Sequence, residues 1–149
     1  MGYKFSKTSL KRMEKLEPIL QEILHKAIEI SEQDFSVISG YRTAEEQNEL
    51  YKKGLSEADG YKIKSNHQTG LAVDIAPYIK GKGICWDINE CPLAWLHIVR
   101  AMKRASWLLR DKLIQNGFES QIFWGGAWNI GDGWDAPHFQ LIKRTNKES

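Results

Sequence analysis

The sequence predicts an α+β domain in which about three helices pack with a small, mainly antiparallel sheet. Three observations carry this reading: two long stretches with apolar residues at steps of three and four, several short β-prone runs, and no regular strand-helix-strand alternation. The chain has 149 residues, 42% hydrophobic and 27% charged. At that length roughly 70% of the unfolded surface can be buried, so a core needs no disulfides and no partner. A disordered tail and a stapled mini-protein are excluded. No Pro-, Gly- or Ser-rich linker divides the chain, and a single domain over residues 1–149, acting as a monomer, is expected. The 21 basic and 19 acidic residues leave a net charge of +2, which gives no nucleic-acid footprint. The first residues never reach the apolar run of a signal peptide, and no stretch approaches the roughly 18 apolar residues of a membrane span. Synthesis in the cytoplasm is expected.

Residues 9–30 carry Met13, Leu16, Leu20, Ile23, Ala27 and Ile30 at helical spacing, which predicts one amphipathic helix. Phe35-Ser36-Val37-Ile38-Ser39 is a short strand ended by Gly40. Thr43-Ala44-Glu45-Glu46 then matches a capping box and starts a second helix over residues 44–53, with Gly54 as its stop. Residues 56–65 read as a surface loop. Leu71-Ala72-Val73-Asp74-Ile75-Ala76 is a strand that ends at Pro77 and presents Asp74 on the face opposite Val73 and Ile75. After a loop with Cys85 and Cys91, a third helix is predicted over residues 93–116, with Leu96, Val99, Met102, Leu109 and Leu113 inward and Gly117 as its cap. Arg100, Lys103, Arg104 and Arg110 lie off that stripe. The last part alternates aromatic residues and glycines over 123–128, turns at Gly131-Asp132-Gly133 and ends in a strand over residues 139–142. Cys85 and Cys91 fit no Cys-x-x-Cys spacing and are read as reduced thiols, with a local disulfide as the alternative.

Two of the four histidines stand in contexts suited to a metal. These are Ser65-Asn66-His67-Gln68-Thr69-Gly70-Leu71-Ala72-Val73-Asp74 and Trp134-Asp135-Ala136-Pro137-His138. Zinc hydrolases use three ligands drawn from His and Asp or Glu and keep one position for water. His67, Asp74 and His138 supply that number, and Gly70 can turn the chain between the first two. Hydrolysis of an amide also needs a proton acceptor that later serves the leaving amine. Asp135, three positions before His138, is placed for that role. Arg42 is a candidate to stabilise an oxyanion or, equally, to bind a substrate carboxylate. His25 and His97 are read as ordinary helix-surface histidines, and Trp95 and Trp107 as core.

Taken together, Ser65-x-His67-x6-Asp74, Asp135-x-x-His138 and Ser39-Gly40-Tyr41-Arg42-Thr43-x3-Gln47-x2-Leu50-Tyr51 resemble the VanY-type D-alanyl-D-alanine carboxypeptidase superfamily of zinc peptidases. The resemblance is strongest to its phage endolysin branch of L-alanyl-D-glutamate endopeptidases, which is similar in having Asp at position 135 and the Phe-x-Trp-Gly-Gly-x-Trp segment. It implies a hedgehog-like and DD-peptidase-like fold with one zinc ion on His67, Asp74 and His138. It also implies Asp135 as general base, Arg42 holding substrate or oxyanion, and Gln47 and Ser65 at positions of substrate contact or site support. Trp124 and Trp128 are expected to wall the cleft. The implied activity is cleavage of the peptidoglycan stem peptide in host lysis, after a separate holin lets the enzyme reach the wall in the periplasm, with no attached wall-binding domain. The alternatives are a D-alanyl-D-alanine carboxypeptidase or dipeptidase and, with every ligand present, less readily a non-catalytic hedgehog-like binding module. The loop over residues 78–92 falls outside the pattern.

Overall fold

A computed structural model describes residues 2–127 and 136–145. Among them the elements are α1 (Lys7–Met13), α2 (Pro18–Ile30), β1 (Phe35–Ser39), α3 (Ala44–Lys52), a 3₁₀ turn (Asn66–Thr69), β2 (Ala72–Ile79) and β3 (Gly83–Ile84). They continue with α4 (Pro92–Leu108), α5 (Arg110–Gln115), β4 (Phe123–Trp124), a second 3₁₀ turn (Gly125–Ala127) and β5 (His138–Gln140). The sheet runs β1-β2-β5-β4, every pairing antiparallel, with β3 folded back on the end of β2. The α+β expectation holds.

Two of the expected helices are each divided. The first breaks ahead of Pro18, which has no N–H to donate and whose ring excludes a helical carbonyl four residues back. Gln21 Nε2 donates to the Leu16 carbonyl at 2.9 Å and, at 3.4 Å, to the carbonyl of Glu14, which Pro18 has no N–H to serve. The division lets α1 turn onto the sheet while α2 packs against α4. Ser9 Oγ accepts the Val37 N–H at 3.0 Å and Arg12 donates to the Val37 carbonyl at 2.9 Å, so the outer edge of β1 is satisfied by α1. The long third helix is interrupted at Leu109, where ψ opens to 15°. Its inward face also differs from expectation: Trp95, Ile98, Met102 and Ala105 are fully buried, whereas Leu96 is exposed. Trp107 is exposed as well, and the Arg110 guanidinium lies 3.9 Å over its ring. Large apolar residues on both sides of this stripe left its centre ambiguous by periodicity alone.

The core joins α2 (Leu20, Ile23, Leu24, Ala27) and α4 to one face of the sheet, represented by Val37, Val73, Ile75 and Phe139. Each fully buried aliphatic side chain there contributes roughly 1.5–3 kcal/mol. That suffices to dock α2, whose N-terminus has a proline but no side-chain cap. By strand alternation Asp74 points to the opposite face. β2 continues through Pro77 instead of ending there, and the Pro77 carbonyl accepts the Cys85 N–H at 2.9 Å. The predicted capping box of α3 is present in both halves, Thr43 with the Glu46 N–H and Glu46 with the Thr43 N–H.

The cysteines form a disulfide and are not the reduced pair favoured from sequence. The chain must return from β3 to the start of α4 within residues 85–91. That return brings the two Cα atoms to 6.7 Å, inside bridging distance. His25 is a surface group as expected, edge-on to Phe5, while His97 is half-buried and lies 3.3 Å from Glu32.

Candidate metal centre

Asp74 reaches the site from the middle of β2. His138, its direct partner across the β2–β5 pairing, therefore stands on the same face. His67 comes from the 3₁₀ turn that precedes β2. Ser65 caps that turn by accepting the His67 N–H at 3.2 Å, and Gln68 answers by accepting the Ser65 N–H at 2.9 Å. Gly70 ends it in the left-handed region at φ 74°, a conformation that swings the chain into the strand and that a side chain would resist.

The three side chains converge on one atom. His67 Nε2 and His138 Nδ1 each lie 3.3 Å from Asp74 Oδ1. The opposite nitrogen of each ring is already engaged: His67 Nδ1 lies 2.9 Å from the Gly40 carbonyl, and His138 Nε2 lies 2.6 Å from Gln140 Oε1. Both partners are acceptors, so those ring nitrogens carry the protons. In neutral rings the nitrogens that face Asp74 are then lone pairs. Burial alone raises a carboxyl pKa, but the Arg42 guanidinium, 3.2 Å from Asp74 Oδ2, favours the charged form. Asp74 is thus an anion, and its buried Oδ1 accepts no hydrogen bond. An anionic oxygen and two lone pairs meeting at a buried point leave one kind of occupant, a cation. A tetrahedral ion with bonds of about 2.0–2.1 Å sets its ligands about 3.3 Å apart, the separation found on both sides of Oδ1. The His67, Asp74, His138 cluster therefore fits a metal ion.

Arg42 stands behind this point. Its guanidinium donates to Asp74 Oδ2 at 3.2 Å, to Gln47 Oε1 at 3.0 Å and to Ser39 Oγ at 3.3 Å, while its backbone N–H donates to the His67 carbonyl at 3.0 Å. A bulge in β1 between Val37 and Ser39 sets Ser39 opposite Asp74 and so completes this clamp. In this geometry Arg42 orients the carboxylate, whereas sequence reasoning turned it toward an oxyanion or substrate. Gly40 is required where it stands: a Cβ there would collide with the Arg12 carbonyl, and the close approach aims the Gly40 carbonyl at His67.

Other expected residues are placed differently. Gln47 is not at the surface of the cavity. It is fully buried, accepting from Arg42 and donating to Ser56 Oγ at 2.8 Å and the Ala58 carbonyl at 2.9 Å, so it ties the clamp to the loop that walls the site. Trp124 is paired with Phe139 across β4 and β5 and stacks on it, which turns it toward the core face. Its indole N–H donates to the Ala136 carbonyl at 2.7 Å and so pins the approach to His138. Ser65 does line the metal cavity, as do His67, Asp74 and His138. Asp135 and Trp128 lie outside the described residues. Sequence reasoning missed Gln140. The signal was available, since two positions after a ligand on a strand is the same face.

Gln140 yields a direct test of this outer contact. Gln140→Leu removes the acceptor that holds His138 in the required tautomer, and metal affinity should fall by about 10–100-fold with the fold intact. Competition for metal against a chromophoric chelator measures this, with unfolding curves as the control; unchanged affinity would mean that the contact does not set the ring.

The phage L-alanyl-D-glutamate peptidase family matches residues 1–142. The chain belongs to this family of peptidases. It is 36% identical over 153 aligned positions to the L-alanyl-D-glutamate peptidase of Escherichia phage T5, covering 95% of this chain and all of that one. It is 30% identical to the peptidoglycan L-alanyl-D-glutamate endopeptidase CwlK of Bacillus subtilis, over 73% of this chain and 61% of the other. Among solved structures, the L-Ala D-Glu endopeptidase ChiX of Serratia marcescens superposes with a TM-score of 0.69 at 27% identity, over 93% of this chain and 90% of that one. The family and fold expected from the sequence motifs are both correct, and the α+β frame of this peptidase is the one that brings the two histidines to Asp74.

Proposed function

We propose that this peptidase hydrolyses the L-alanyl-D-glutamate bond of the peptidoglycan stem peptide as an endolysin, with one zinc ion held by His67, Asp74 and His138. The observation that supports it most is the convergence of two lone pairs on the unsatisfied anionic oxygen of Asp74. When bound, zinc would supply Lewis acidity that polarises the scissile carbonyl and acidifies water. Arg42 keeps Asp74 ionised and fixed, and the Gly40 carbonyl and Gln140 keep each ring in the tautomer that presents a lone pair. Asp135 is the proposed general base, taking the proton from water and passing it to the leaving amine. The two residues that follow Asp135 are fixed: the Ala136 carbonyl accepts from Trp124, and the Pro137 carbonyl accepts the Ile75 N–H at 3.0 Å.

An endopeptidase needs room on both sides of the scissile bond, whereas a D-alanyl-D-alanine carboxypeptidase needs a pocket closed on a terminal carboxylate. The metal cavity, about 440 Å³, shares Arg42 and Leu50 with a neighbouring basin of about 720 Å³, which supports the open form. No helix among the described residues is long and apolar enough to cross a membrane; release through a separate holin and action on the wall as a monomeric single domain are part of the proposal. Digestion of purified peptidoglycan, with and without a chelator, tests the bond and the metal together. New amino termini at D-glutamate, lost with chelator and restored by zinc, are expected; free D-alanine with the L-alanyl-D-glutamate bond intact would overturn the assignment.

A further inference from the structure

The face of the sheet that carries Asp74 continues beyond the metal centre. Tyr78 lies four residues along β2 on that same face, roughly 13 Å away at strand rise. There a groove of about 320 Å³ runs between the start of α1 and the β2–β3 hairpin, with Tyr78, Trp86, Ile38 and Ile84 among its walls and the hydroxyls of Ser6, Thr8 and Ser36 along it. Trp86 is 63% exposed and Tyr78 41%, large aromatic surface with no packing role to explain it. The Cys85–Cys91 disulfide closes the short loop that carries Trp86. The groove is not isolated. It shares Arg12 and Ile38 with the basin beside the metal cavity, and that basin shares Arg42 and Leu50 with the cavity itself. Among the described residues three hollows, each sharing two lining residues with the next, lie in a row between the metal centre and the two aromatic rings, and a strand bound along them would follow one trough.

We propose that this trough seats the glycan strand of peptidoglycan, with Trp86 and Tyr78 as the platform for its sugar rings. This occupant presupposes the peptidoglycan substrate proposed for the metal centre. L-alanine is the residue through which the stem peptide hangs from the glycan, so the scissile bond lies one residue, about 3.5 Å of chain, from the sugar-bearing end. A site that cuts there must have the glycan beside it, and a few sugars along the strand cover the distance to Trp86. The chemistry at that distance suits a sugar: aromatic faces for the apolar C–H side of a pyranose, with hydroxyls for its polar edge. A peptide partner would find no charged anchor at this end except Arg12, whose guanidinium already donates to the Val37 carbonyl.

The test uses the zinc-loaded full chain and three readouts for Trp86→Ala and Tyr78→Ala, neither of which touches the metal centre. Titration with a soluble N-acetylglucosamine tetramer, followed calorimetrically, should show binding to the unaltered protein that weakens by about tenfold or more in each variant, the usual scale for losing an aromatic anchor. Release of peptide from intact sacculi should fall in parallel. Cleavage of a sugar-free peptide containing the L-alanyl-D-glutamate bond should keep its kcat/KM. Absence of tetramer binding, tetramer binding that the substitutions leave unchanged, or an equal loss on the sugar-free peptide would each overturn the glycan track. The tetramer titration needs no catalysis. If neither sacculi nor peptide is cut, the assignment of the metal centre fails while the trough is still judged by binding.

Discussion

Asp74→Asn should lower bound zinc from one ion per chain to background and reduce peptidase activity by roughly a thousandfold or more, the several kcal/mol that a Lewis acid contributes to such a barrier. The substitution isolates charge from shape. Asn fills the same volume and can still accept from Arg42 through its amide oxygen, so the clamp formed by Ser39, Gln47 and Arg42 persists. What disappears is the anion between the two histidines. With a neutral group there, two imidazole lone pairs remain, too few for the three-ligand set of a hydrolytic zinc site. Thermal unfolding gives a second readout. A ligand that binds only the folded state stabilises it by about 4 kcal/mol at a thousand times its dissociation constant. The unaltered protein should therefore lose melting temperature on chelation and the variant should not. One zinc per folded Asp74→Asn chain would remove Asp74 from the ligand set.

The convergence of His67, Asp74 and His138 was legible in the sequence because the placement of each depends on local rules. Ser65 and Gln68 form a reciprocal cap that fixes the His67 turn, Gly70 supplies the positive φ that follows it, and strand alternation sends Asp74 away from Val73 and Ile75. The partners of those ligands were harder to read because they are made by contacts distant in sequence. That Gly40 would hold His67, or that Arg42 would close on Asp74, depends on a β1 bulge and on α1 pressing against Gly40. Gln47 and Trp124 show the same limit from the other side: polar and aromatic residues beside a motif look like substrate contacts until burial and cross-strand register turn them inward. The helix interruptions differ between themselves. Pro18 carried the signal for the first, which the unbroken apolar spacing over residues 9–30 overrode, whereas Leu109 has no breaker and the change of axis there depends on tertiary packing.

Asp135→Ala should leave zinc at one ion per chain and the fold unchanged, yet reduce kcat by about 10²–10⁴-fold, the range that a positioned general base supplies. The argument rests on separating two tasks that a carboxylate near a metal can perform. In the proposed centre His67, Asp74 and His138 supply the three ligands, and their contacts account for both nitrogens of each ring and for both oxygens of Asp74. A fourth protein ligand would close the position that water needs. A carboxylate close by but unbound serves as proton carrier instead. Asp135 is proposed as such a group from its place in the sequence, three positions before His138, and the residues that follow it, Ala136 and Pro137, are tied to Trp124 and to β2. Asp135→Asn sharpens the distinction by keeping the volume: a base cannot tolerate it, while a residue that only shapes the loop can. Zinc content by atomic emission together with peptide kinetics checks both variants. Loss of metal along with activity would make Asp135 a ligand, and near-normal kcat in Asp135→Asn would remove it from proton transfer.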